Sequence, residues 1–408
     1  MIDGERNWAR TLTYSAPVRH PASTEELQEA VAASPRVHAL GTRHSFSRCA
    51  DTDGLLVALD RLPADLEVDA DARTATVASA VRLGDLGARL EEHGLAIANL
   101  PSLPHISLGG AVATATHGSG DGNRMLATFV RGLEVVGPDG AIVRYDGDAL
   151  AGAVMSYGAL GVVTRITVAV QPAFRVRQDA FGAMPWSTIE DRLDEIFAAG
   201  YSVSLFTRWT EGARGGLVKS LDAAGRPGEF FGAPGTPIDP AEIQAATTHT
   251  TIGDFGPSWD RLPHFKLAAV PSVGEELQSE YFVPRARAVD ALEALRGIGA
   301  DIDEALHVNE LRTVAQDDLW LSPASGDDVL AIGFTWQDRP DLVLPLLPRI
   351  EELLLPLGAR PHWAKLSAAR AEDLQDRYPG WGAFAALRDD ADPDRKFANP
   401  FLDEVLGA

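Results

Sequence analysis

The sequence is short of cysteine, of basic residues and of long apolar runs. Its 408 residues include one cysteine, Cys49, which excludes an intrachain disulfide framework and a multi-cysteine metal site. Lysine and arginine number 36 against 58 acidic residues, and the net charge of −22 disfavours nucleic acid or an anionic membrane surface as a partner. No stretch is long enough to span a membrane and the first ten residues lack the apolar segment of a signal peptide, so we expect a cytoplasmic protein.

Several common catalytic motifs are also missing. The sequence contains no GxxxxGK[ST], HExxH or GxSxG, which leaves P-loop, zincin and hydrolase-elbow chemistry without support. The glycine-rich segment 118–123 lacks the last glycine of the dinucleotide-binding fingerprint and precedes the clearest strand nearby instead of following it. The ten histidines show no metal-ligand spacing. A nicotinamide enzyme and a metal site are therefore not predicted.

What is present is a composition typical of a large soluble enzyme. Hydrophobic residues make up 45% of the chain and charged residues 23%, which is ordinary for globular proteins. A chain of 408 residues is long enough for two or three domains with a sizeable core. The excess of negative charge suits a neutral substrate.

The segment 41–47, GTRHSFS, places a histidine in a tight polar loop directly after a short apolar run. Gly41 allows a sharp turn, while the hydroxyl groups of Thr42, Ser45 and Ser47 and the loop amides are able to form an anion-binding concavity. His44 then supplies a reactive imidazole. The alternative interpretation of this residue is an ordinary exposed histidine.

A second segment, 101–120, reads PSLPHISLGGAVATATHGSG. Its prolines and glycines forbid a regular helix or central strand through the first part. The small residues from 109 to 116 are able to form a short helix whose first amides point at a phosphate, and the later glycines permit close approach. A glycine-rich surface loop is the alternative. Taken together, the two segments predict two walls of one cofactor cleft.

The candidate substrate residues lie on predicted strands in the second half of the chain. Glu310 and Arg312 are two residues apart and so project from one face of a strand, where a carboxylate and a guanidinium together suit the hydroxyl groups of a polyol. Thr335, on a neighbouring predicted strand, adds a hydroxyl. Lys365 follows the apolar Trp363 and is placed to take or orient an alcohol proton. A surface ion pair and a solvated lysine are the alternatives.

The pattern of apolar residues predicts an α/β front, a sheet-rich middle and a helical tail. Capping boxes at Ser23–Glu26 and Ser187–Glu190 predict helix starts, the second helix running to about Ala199. Residues 342–357 are expected to form a helix despite Pro345 and Pro348. The strands predicted for a large antiparallel sheet are 203–209, 216–220, 278–283, 308–314 and 329–336.

Both glycine-bearing segments, together with GALGVVT at 158–164, resemble the three signatures of flavoproteins of the vanillyl-alcohol oxidase type. Within that group the sequence resembles the alditol oxidases, which act on xylitol and sorbitol. The resemblance continues in order through 277–281, 310–314, 334–336, 360–365 and 392–401. It therefore covers nearly the whole chain, with several separate motifs at family-like spacing.

The resemblance implies an α+β fold with a discontinuous flavin domain around a substrate-binding cap. An FAD-binding domain of the PCMH type, made of two α/β subdomains, is expected at 1–172. A cap domain with a large antiparallel sheet flanked by helices is expected at 173–365, and a helical return to the FAD domain at 366–408.

It further implies covalent attachment of FAD through the imidazole of His44. Ser102 and Ser107 are expected to bond the isoalloxazine or pyrophosphate, residues 114–117 to lie at the phosphates, and the backbone of Val163 to meet the adenine. The residues expected to bind the cofactor are Gly41, Thr42, Arg43, His44, Ser45, Phe46, Ser47, Ser102, Ser107, Gly110, Thr114, Ala115, Thr116, His117 and Val163.

For the substrate, the resemblance implies oxidation of a primary alcohol of a polyol to the aldehyde, with molecular oxygen reduced to hydrogen peroxide and no metal. We expect a monomer. The catalytic residues carried over are Lys365, Arg312 and Glu310, and the substrate-binding residues are Ser102, Thr335 and Gln278.

Two positions depart from the resembling pattern. Where alditol oxidases usually read His-Phe-Thr-Trp, this chain has Gly333 before Phe334, which removes one polar contact and opens space for a bulkier alcohol. His105 and His362 are the candidates to supply the missing imidazole. Pro101 is unusual where the family tunes oxygen access. Three functions stay open: a polyol oxidase, an aldonolactone oxidase or dehydrogenase, and a flavin-bound protein with little catalysis.

Overall fold

The computed structural model describes residues 5–221, 227–236, 249–269 and 275–407 and has the predicted α+β architecture. Residues 223–271 are rich in Gly, Pro and Thr, a composition that predicts a long irregular segment, and they lie partly outside the described residues. Over the part of the chain that the structure does describe, no helix is long and apolar enough to cross a membrane.

The first helix, α1 (Thr24–Ala33), begins where the capping box predicts. Ser23 Oγ accepts from the Glu26 amide at 3.2 Å, and the Glu26 carboxylate accepts from the Ala22 amide at 2.8 Å. Both bonds satisfy amides that have no partner inside the helix. Leu27 and Val31 are fully buried and turn the helix against the first strands.

Two larger sheets and a two-stranded sheet form the front of the molecule. The front strands are β1 (Val18–Arg19), β2 (Val37–Leu40), β3 (Leu55–Ala58), β4 (Leu66–Asp69), β5 (Thr74–Ala78), β6 (Leu95–Ala96), β7 (Val130–Val136), β8 (Ile142–Tyr145), β9 (Val162–Ala169) and β10 (Gln171–Pro172). A parallel sheet has the strand order β1-β3-β2, an antiparallel sheet has the order β4-β5-β9-β7-β8, and β6 pairs with β10.

The rest of the chain builds a large antiparallel sheet, which includes the strands that the sequence predicts for it. The strands are β11 (Arg175–Phe181), β12 (Ser202–Arg208), β13 (Gly212–Ser220), β14 (Glu229–Phe230), β15 (Ala233–Pro234), β16 (Phe255–Pro257), β17 (Glu276–Pro284), β18 (Leu306–Val314), β19 (Val329–Gln337) and β20 (Arg360–Pro361). Their order in the sheet is β16-β11-β13-β12-β18-β19-β17-β20, and β14 and β15 form a separate short hairpin.

The register of this sheet decides which residues share its cleft face. Phe206 pairs with Glu310, Glu310 with Gly333, and Gly333 with Glu280. Residues directly opposite one another on neighbouring strands point to the same face. The row from Phe206 to Glu280 therefore crosses four strands on one side of the sheet.

The remaining helices flank these sheets. They are α2 (Leu83–Glu92), α3 (Leu108–Ala113), α4 (Gly147–Ala153), α5 (Trp186–Asp191), α6 (Leu193–Ala198), α7 (Ser258–Arg261), α8 (Ala288–Arg296), α9 (Gly299–Ala305), α10 (Pro340–Leu354), α11 (Ala371–Leu374), α12 (Trp381–Ala391) and α13 (Pro400–Leu406). Single 3₁₀ turns lie at Leu126–Phe129, Arg285–Arg287 and Leu355–Leu357.

The prediction of one helix from a capping box at Ser187 is wrong. The helix begins earlier, with Pro185 as an N-cap that has no side-chain hydrogen bond, and it breaks at Arg192. Trp186 fixes this start, since its indole stacks on Trp209 at 5.4 Å and donates to the Trp209 carbonyl at 3.1 Å. Burial of a large aromatic ring outweighs a local cap worth about 1 kcal/mol.

The proline-containing helix α10 forms as predicted, with Pro340 in its first turn. Pro345 and Pro348 both lie on its exposed side, where carbonyl groups left without an amide partner reach water. The opposite side carries Val343 and Ile350, both fully buried against the large sheet.

The tail returns to the front of the molecule. The Val37 amide donates to the Lys396 carbonyl at 3.0 Å, and Phe397 is fully buried beside Leu27 and Val37. This return agrees with the expected discontinuous arrangement, while the domain bounds themselves stay a prediction.

The glycine-bearing loop after α3 is fastened to the large sheet. The Gly120 amide donates to the Thr313 carbonyl at 2.9 Å, and the Ser119 hydroxyl donates to the Val203 carbonyl. Gly120 has a φ of +132°, and a Cβ there would lie 2.3 Å from the Tyr201 carbonyl oxygen. Only glycine permits this close approach.

Candidate active site

A cleft of about 710 Å³ lies between the front loops and the face of the large sheet. The loop 41–46 and the segment 101–117 line one side, and strands β12, β18, β19 and β17 line the other. The two segments that the sequence analysis singled out therefore do meet at one cleft. Of the predicted cofactor residues, only Ser47 and Ala115 lie outside its lining.

The loop 41–47 packs closely against the second segment. A Cβ on Gly41 would lie 2.9 Å from Ser107 Oγ, so a side chain has no room there. The Ser107 amide donates to Thr42 Oγ1 at 3.1 Å. The hydroxyl of Ser47 donates to the Trp363 carbonyl at 2.6 Å, which turns it away from the cleft and toward the segment that carries Lys365.

His44 lies in this loop beside the ring of Trp8, a contact that the sequence did not predict. Its imidazole stacks on Trp8 at 5.4 Å, and its Nδ1 lies 3.2 Å from Thr42 Oγ1. Burial, assisted by the nearby His105, lowers the pKa of His44 to about 4. The imidazole is therefore neutral near pH 7 and able to act as a nucleophile.

The second segment forms the short helix α3, as predicted, but two of its first amides are occupied. The Leu108 amide donates to the Val81 carbonyl at 2.8 Å and the Gly109 amide to the Ser79 carbonyl at 2.7 Å. The prediction that the helix start points these free amides at a phosphate is thus wrong, because neighbouring backbone takes them. The Thr114 hydroxyl likewise donates inside the helix, to the Gly110 carbonyl at 2.8 Å.

The lining of the cleft fits a dinucleotide. Gly41, Gly109 and Gly110 leave a groove without side chains, and a Cβ at Gly110 would lie 3.0 Å from Ser107 Oγ. Val163 lines the cleft, and its carbonyl accepts from Ser79 Oγ at 2.6 Å. A neutral imidazole stands in the same lining, so these residues suit a flavin nucleotide.

Across the cleft, Arg312 and Glu310 lie together as predicted. Arg312 is 7% exposed and its Nε lies 3.7 Å from Glu310 Oε2, so the interpretation as a surface ion pair is wrong. Burial raises the pKa of the Glu310 carboxyl, but Arg312 and then His264 more than offset this, so its pKa lies well below the ordinary value. Glu310 is an anion at any physiological pH.

Glu280 is the centre of the charged group and was not singled out from the sequence. It is 1% exposed, and its carboxylate accepts from Arg312 Nη2 at 2.7 Å and from Lys365 Nζ at 2.7 Å. His117 Nε2 lies 3.2 Å away. Burial raises the pKa of Glu280, but Lys365 and Arg312 outweigh it and hold the pKa well below its ordinary value. The sequence could have indicated Glu280, because it is two residues from the predicted substrate residue Gln278 and therefore shares its strand face.

Lys365 is therefore an ion-paired lysine, and the interpretation as a solvated charge is wrong. Its side chain is 18% exposed and lines the cleft. The Leu366 amide donates to the Gln278 carbonyl at 2.8 Å, which fixes the segment along β17. The charged row, as we call Lys365, Glu280, Arg312 and Glu310, thus alternates in sign along the cleft face of the sheet.

Each remaining predicted substrate residue lines the cleft. The Gln278 side chain donates to Glu276 Oε1 at 2.7 Å, and the Ser102 carbonyl accepts from the His264 amide at 3.0 Å. Thr335 stands half-buried on β19. The structure therefore brings Ser102, Thr335 and Gln278 to the same cavity as the charged row.

The histidines around the cleft do not all lie where the sequence predicts. His117 contacts Glu280 and packs edge-on against Phe282 at 5.0 Å, so its ring faces the charged row, and its expected place at the phosphates stays a prediction. His105 bonds the Leu267 carbonyl at 3.0 Å and does not line the cleft. His362 does line it; burial, then Lys365, lowers its pKa to about 3. His264, missed from the sequence, lies 2.9 Å from Glu310 Oε1.

Gly333 stands between the two carboxylates of the row. A Cβ at this position would lie 3.3 Å from Glu280 Oε1, and the residue lines the cleft. A side chain there would have to displace Glu280 by a few tenths of an ångström. The Glu280 carboxylate therefore borders the space in which a side chain at position 333 would begin.

Two family models match the chain. Residues 15–146 match an FAD binding domain, and residues 273–405 match the D-arabinono-1,4-lactone oxidase family. The chain is 44% identical to an alditol oxidase from a Streptomyces species, over 98% of each chain. It is 30% identical to an L-gulono-1,4-lactone dehydrogenase from Mycobacterium tuberculosis, over 96% of each.

Solved structures agree with the fold. A cholesterol oxidase from B. sterolicum aligns with a TM-score of 0.76 at 16% identity, over 99% of this chain and 96% of that one. At this identity the likeness speaks for the fold alone. Sequence, cleft geometry and relatives together place the chain among the FAD-dependent oxidoreductases of the vanillyl-alcohol oxidase type, in the family that contains alditol oxidase.

Proposed function

We propose that this chain is an alditol oxidase. It would oxidise a primary alcohol of a polyol such as xylitol or sorbitol to the aldehyde while molecular oxygen is reduced to hydrogen peroxide. The observation that carries the proposal is the charged row, buried in the sheet face that lines the cleft opposite His44. The alditol oxidase relative at 44% identity supports the same reaction class.

The charged row matches the chemistry of a polyol. Each hydroxyl group of such a substrate both donates and accepts a hydrogen bond. Glu310 offers an acceptor, while Arg312 and Lys365 offer donors, and bonds to charged partners are about twice as strong as neutral ones. The row is close to neutral in sum, which suits a substrate without charge. We propose that Thr335, Gln278 and Ser102 add contacts to the remaining hydroxyl groups.

FAD is the cofactor that the cleft fits, and we propose that it is attached covalently through His44. The neutral imidazole and the side-chain-free groove around Gly41 and Gly110 support this proposal. When bound, FAD supplies the two-electron oxidant for the alcohol and returns the electrons to oxygen. Ser107, Thr116 and Val163 are the nearby groups that we propose to hold it.

We propose that Lys365 orients the reacting alcohol. Its Nζ lies 2.7 Å from Glu280 Oε2 and is able to donate to the substrate oxygen, and the hydroxyl proton leaves with help from the charged row as the alcohol is oxidised. Negative charge that develops on this oxygen is stabilised by Lys365 and by the neighbouring Arg312. Both residues are thus catalytic through electrostatics, and Glu310 is the anionic acceptor on the same face.

The proposal is tested on the purified protein with its flavin. Acid denaturation should leave the yellow colour on the polypeptide, and a His44→Ala variant should release it. Xylitol or sorbitol should bleach the flavin anaerobically, and hydrogen peroxide should appear in air. Colour that stays covalent in His44→Ala would overturn the attachment, and bleaching by aldonolactones alone would overturn the substrate class.

An aldonolactone substrate is the second candidate. The family model matched at 273–405 is named for a lactone oxidase, and those residues include Glu280, Glu310, Thr335 and Lys365. L-gulono-1,4-lactone therefore belongs in the same anaerobic screen. We also propose a monomer, which light scattering on an eluting sample would measure directly.

A further inference from the structure

Behind Glu310 lies a buried pair of side chains that the proposed reaction does not yet use. His264 comes from the loop after α7, and Lys219 comes from β13, two strands away from Glu310. His264 is 9% exposed and Lys219 is 1% exposed. A lysine buried to this extent in a sheet needs partners for its charge.

The contacts of this pair form a chain that ends at the substrate site. His264 Nε2 lies 2.9 Å from Glu310 Oε1, and His264 Nδ1 lies 3.4 Å from Lys219 Nζ. The lysine also donates to the carbonyl groups of Leu262 and, at 3.3 Å, Pro263. Its three partners are thus all able to accept, which suits an ammonium with three hydrogens.

These contacts select one form of the imidazole. Burial, followed by the charge of Lys219, lowers the pKa of His264, so the ring is neutral and carries one hydrogen. Glu310 is an anion and accepts only, so this hydrogen lies on Nε2. Nδ1 is then an acceptor, which the ammonium of Lys219 satisfies. The lysine therefore holds the ring in the form that donates to Glu310.

The backbone of His264 reaches the other wall of the cleft. Its amide donates to the Ser102 carbonyl at 3.0 Å, while its side chain contacts Glu310 on the sheet. His264 thus holds both Ser102 and Glu310 in position, two proposed substrate contacts that are far apart in the sequence. It also supplies an imidazole beside Glu310, although β19 has glycine at 333.

We propose that His264 is the positioning residue for Glu310 and that Lys219 fixes the imidazole form in which it acts. The inference rests on the proposed function, since Glu310 is taken to bind a polyol hydroxyl. Loss of the His264 contact frees the carboxylate to rotate toward Arg312, 3.7 Å away, and away from the substrate. Because a hydroxyl contact of this kind is made before and during the reaction, its loss weakens binding more than it slows the bound complex.

Two variants of one residue provide the test. His264→Asn keeps an acceptor near the place of Nδ1 but is too short to reach Glu310, whereas His264→Gln places an amide donor near the place of Nε2. With xylitol as the probe, the concentration dependence of anaerobic flavin reduction gives a dissociation constant and a limiting rate separately. We expect the constant to rise roughly tenfold or more in His264→Asn, the value of one charged hydrogen bond. His264→Gln should show a rise of about threefold or less, and both limiting rates should stay within about threefold.

The pH dependence tests the role of Lys219. Burial lowers the pKa of Lys219 to about 7, with Glu310 opposing the shift and Arg312 adding to it. The ammonium is present below that pKa and lost above it, so the wild type should bind xylitol more tightly at pH 6 than at pH 8.5. Lys219→Met should remove this difference. A pH dependence that survives in Lys219→Met would overturn the role of the lysine.

A measurement that does not depend on turnover distinguishes a positioning role of His264 and Lys219 from a purely structural one. In protein labelled with ¹⁵N-histidine, the two-bond proton–nitrogen spectrum of His264 should report hydrogen on Nε2 in the wild type and a larger fraction of the Nδ1 form in Lys219→Met, where Glu310 alone favours Nε2. A wild-type spectrum with hydrogen on Nδ1 would overturn the inference. His93→Asn, at an exposed histidine, is the matched control and should change neither the dissociation constant for xylitol nor the limiting rate of flavin reduction.

The result also stays distinct from failure of the proposed function. If the wild-type flavin is not bleached by xylitol or sorbitol, the proposed function fails. If the wild type is bleached but His264→Asn binds xylitol as the wild type does, the positioning inference alone fails.

Discussion

Lys365 Nζ lies 2.7 Å from Glu280 Oε2, inside a site where that carboxylate is 1% exposed. Arg312 contacts the other oxygen of the same carboxylate at 2.7 Å. Glu280 thus balances two cations that the proposed reaction uses, although it is almost fully buried in the lining of the cleft. Substitution of Glu280 tests how far the stability of the charged row depends on this balance of charges.

Glu280→Gln should lower the free energy of unfolding by about 3–5 kcal/mol, the usual effect of removing one partner from a buried ion pair. Two cations would then face each other with reduced compensation. Urea unfolding of the wild type and the variant measures this directly. Glu67→Gln is the matched control, because that carboxylate is 71% exposed and its pair with Arg165 is worth less than about 1 kcal/mol. Equal effects of the two substitutions would contradict the expected role of Glu280.

Gly333→His restores the residue that alditol oxidases usually carry, and Gly333→Ala adds the Cβ alone. We expect xylitol to bind roughly tenfold more tightly to the histidine variant than to the alanine variant, because the imidazole adds one hydrogen-bond partner. The alanine control is needed because its Cβ already lies 3.3 Å from Glu280 Oε1. Dissociation constants from anaerobic flavin reduction give the comparison. Equal constants would show that the imidazole at 333 does not set affinity.

Thr42→Val should reduce the fraction of protein that carries covalent flavin. Thr42 Oγ1 lies 3.2 Å from His44 Nδ1 and accepts from the Ser107 amide at 3.1 Å, so it orients the imidazole against the second loop. Thr42→Ser keeps the hydroxyl and should behave nearly as the wild type does. In-gel fluorescence of denatured protein measures the bound flavin. Full attachment in the valine variant would rule out an orienting role for Thr42.

Asp317 should make stability depend on pH in an identifiable way. Burial raises its pKa to about 6 from an ordinary 3.8, so the folded state disfavours the charged form. The stability contributed by the protonated group is present below about pH 4 and lost as the pH rises through 6. Asp317→Asn cannot ionise, and it should gain about 2–3 kcal/mol relative to the wild type between pH 4 and pH 8. Urea unfolding at both pH values measures the difference, and a constant difference would contradict the prediction.

The sequence predicts those parts of the fold that depend on local chemistry. The capping box at Ser23 and the apolar patterns of strands such as β7 and β9 depend on residues close together in the sequence. These elements form as expected. The second capping box fails because a distant contact, between Trp186 and Trp209, outweighs the local one. Strand β11 and helices α8 and α9 were not predicted.

The candidate site shows the same division. Glu310 and Arg312 are two residues apart on one strand, and that spacing alone places them on one face. His264 and Trp8 reach the cleft from other elements, and no local pattern indicates that they do so. Glu280 is an intermediate case, because its strand face was predictable while its contacts with Lys365 and His117 were not. Their convergence depends on the register of four strands and on the packing of two loops.

The bond from the Gly120 amide to the Thr313 carbonyl joins the glycine-bearing loop after α3 to the strand that carries Glu310 and Arg312. Movement of this loop as a hinged lid would have to break that bond, together with the bond from Ser119 to Val203, at every turnover. Among the described elements, this loop and the strand are therefore a fixed boundary of the cleft, and their separation is set before a reactant enters.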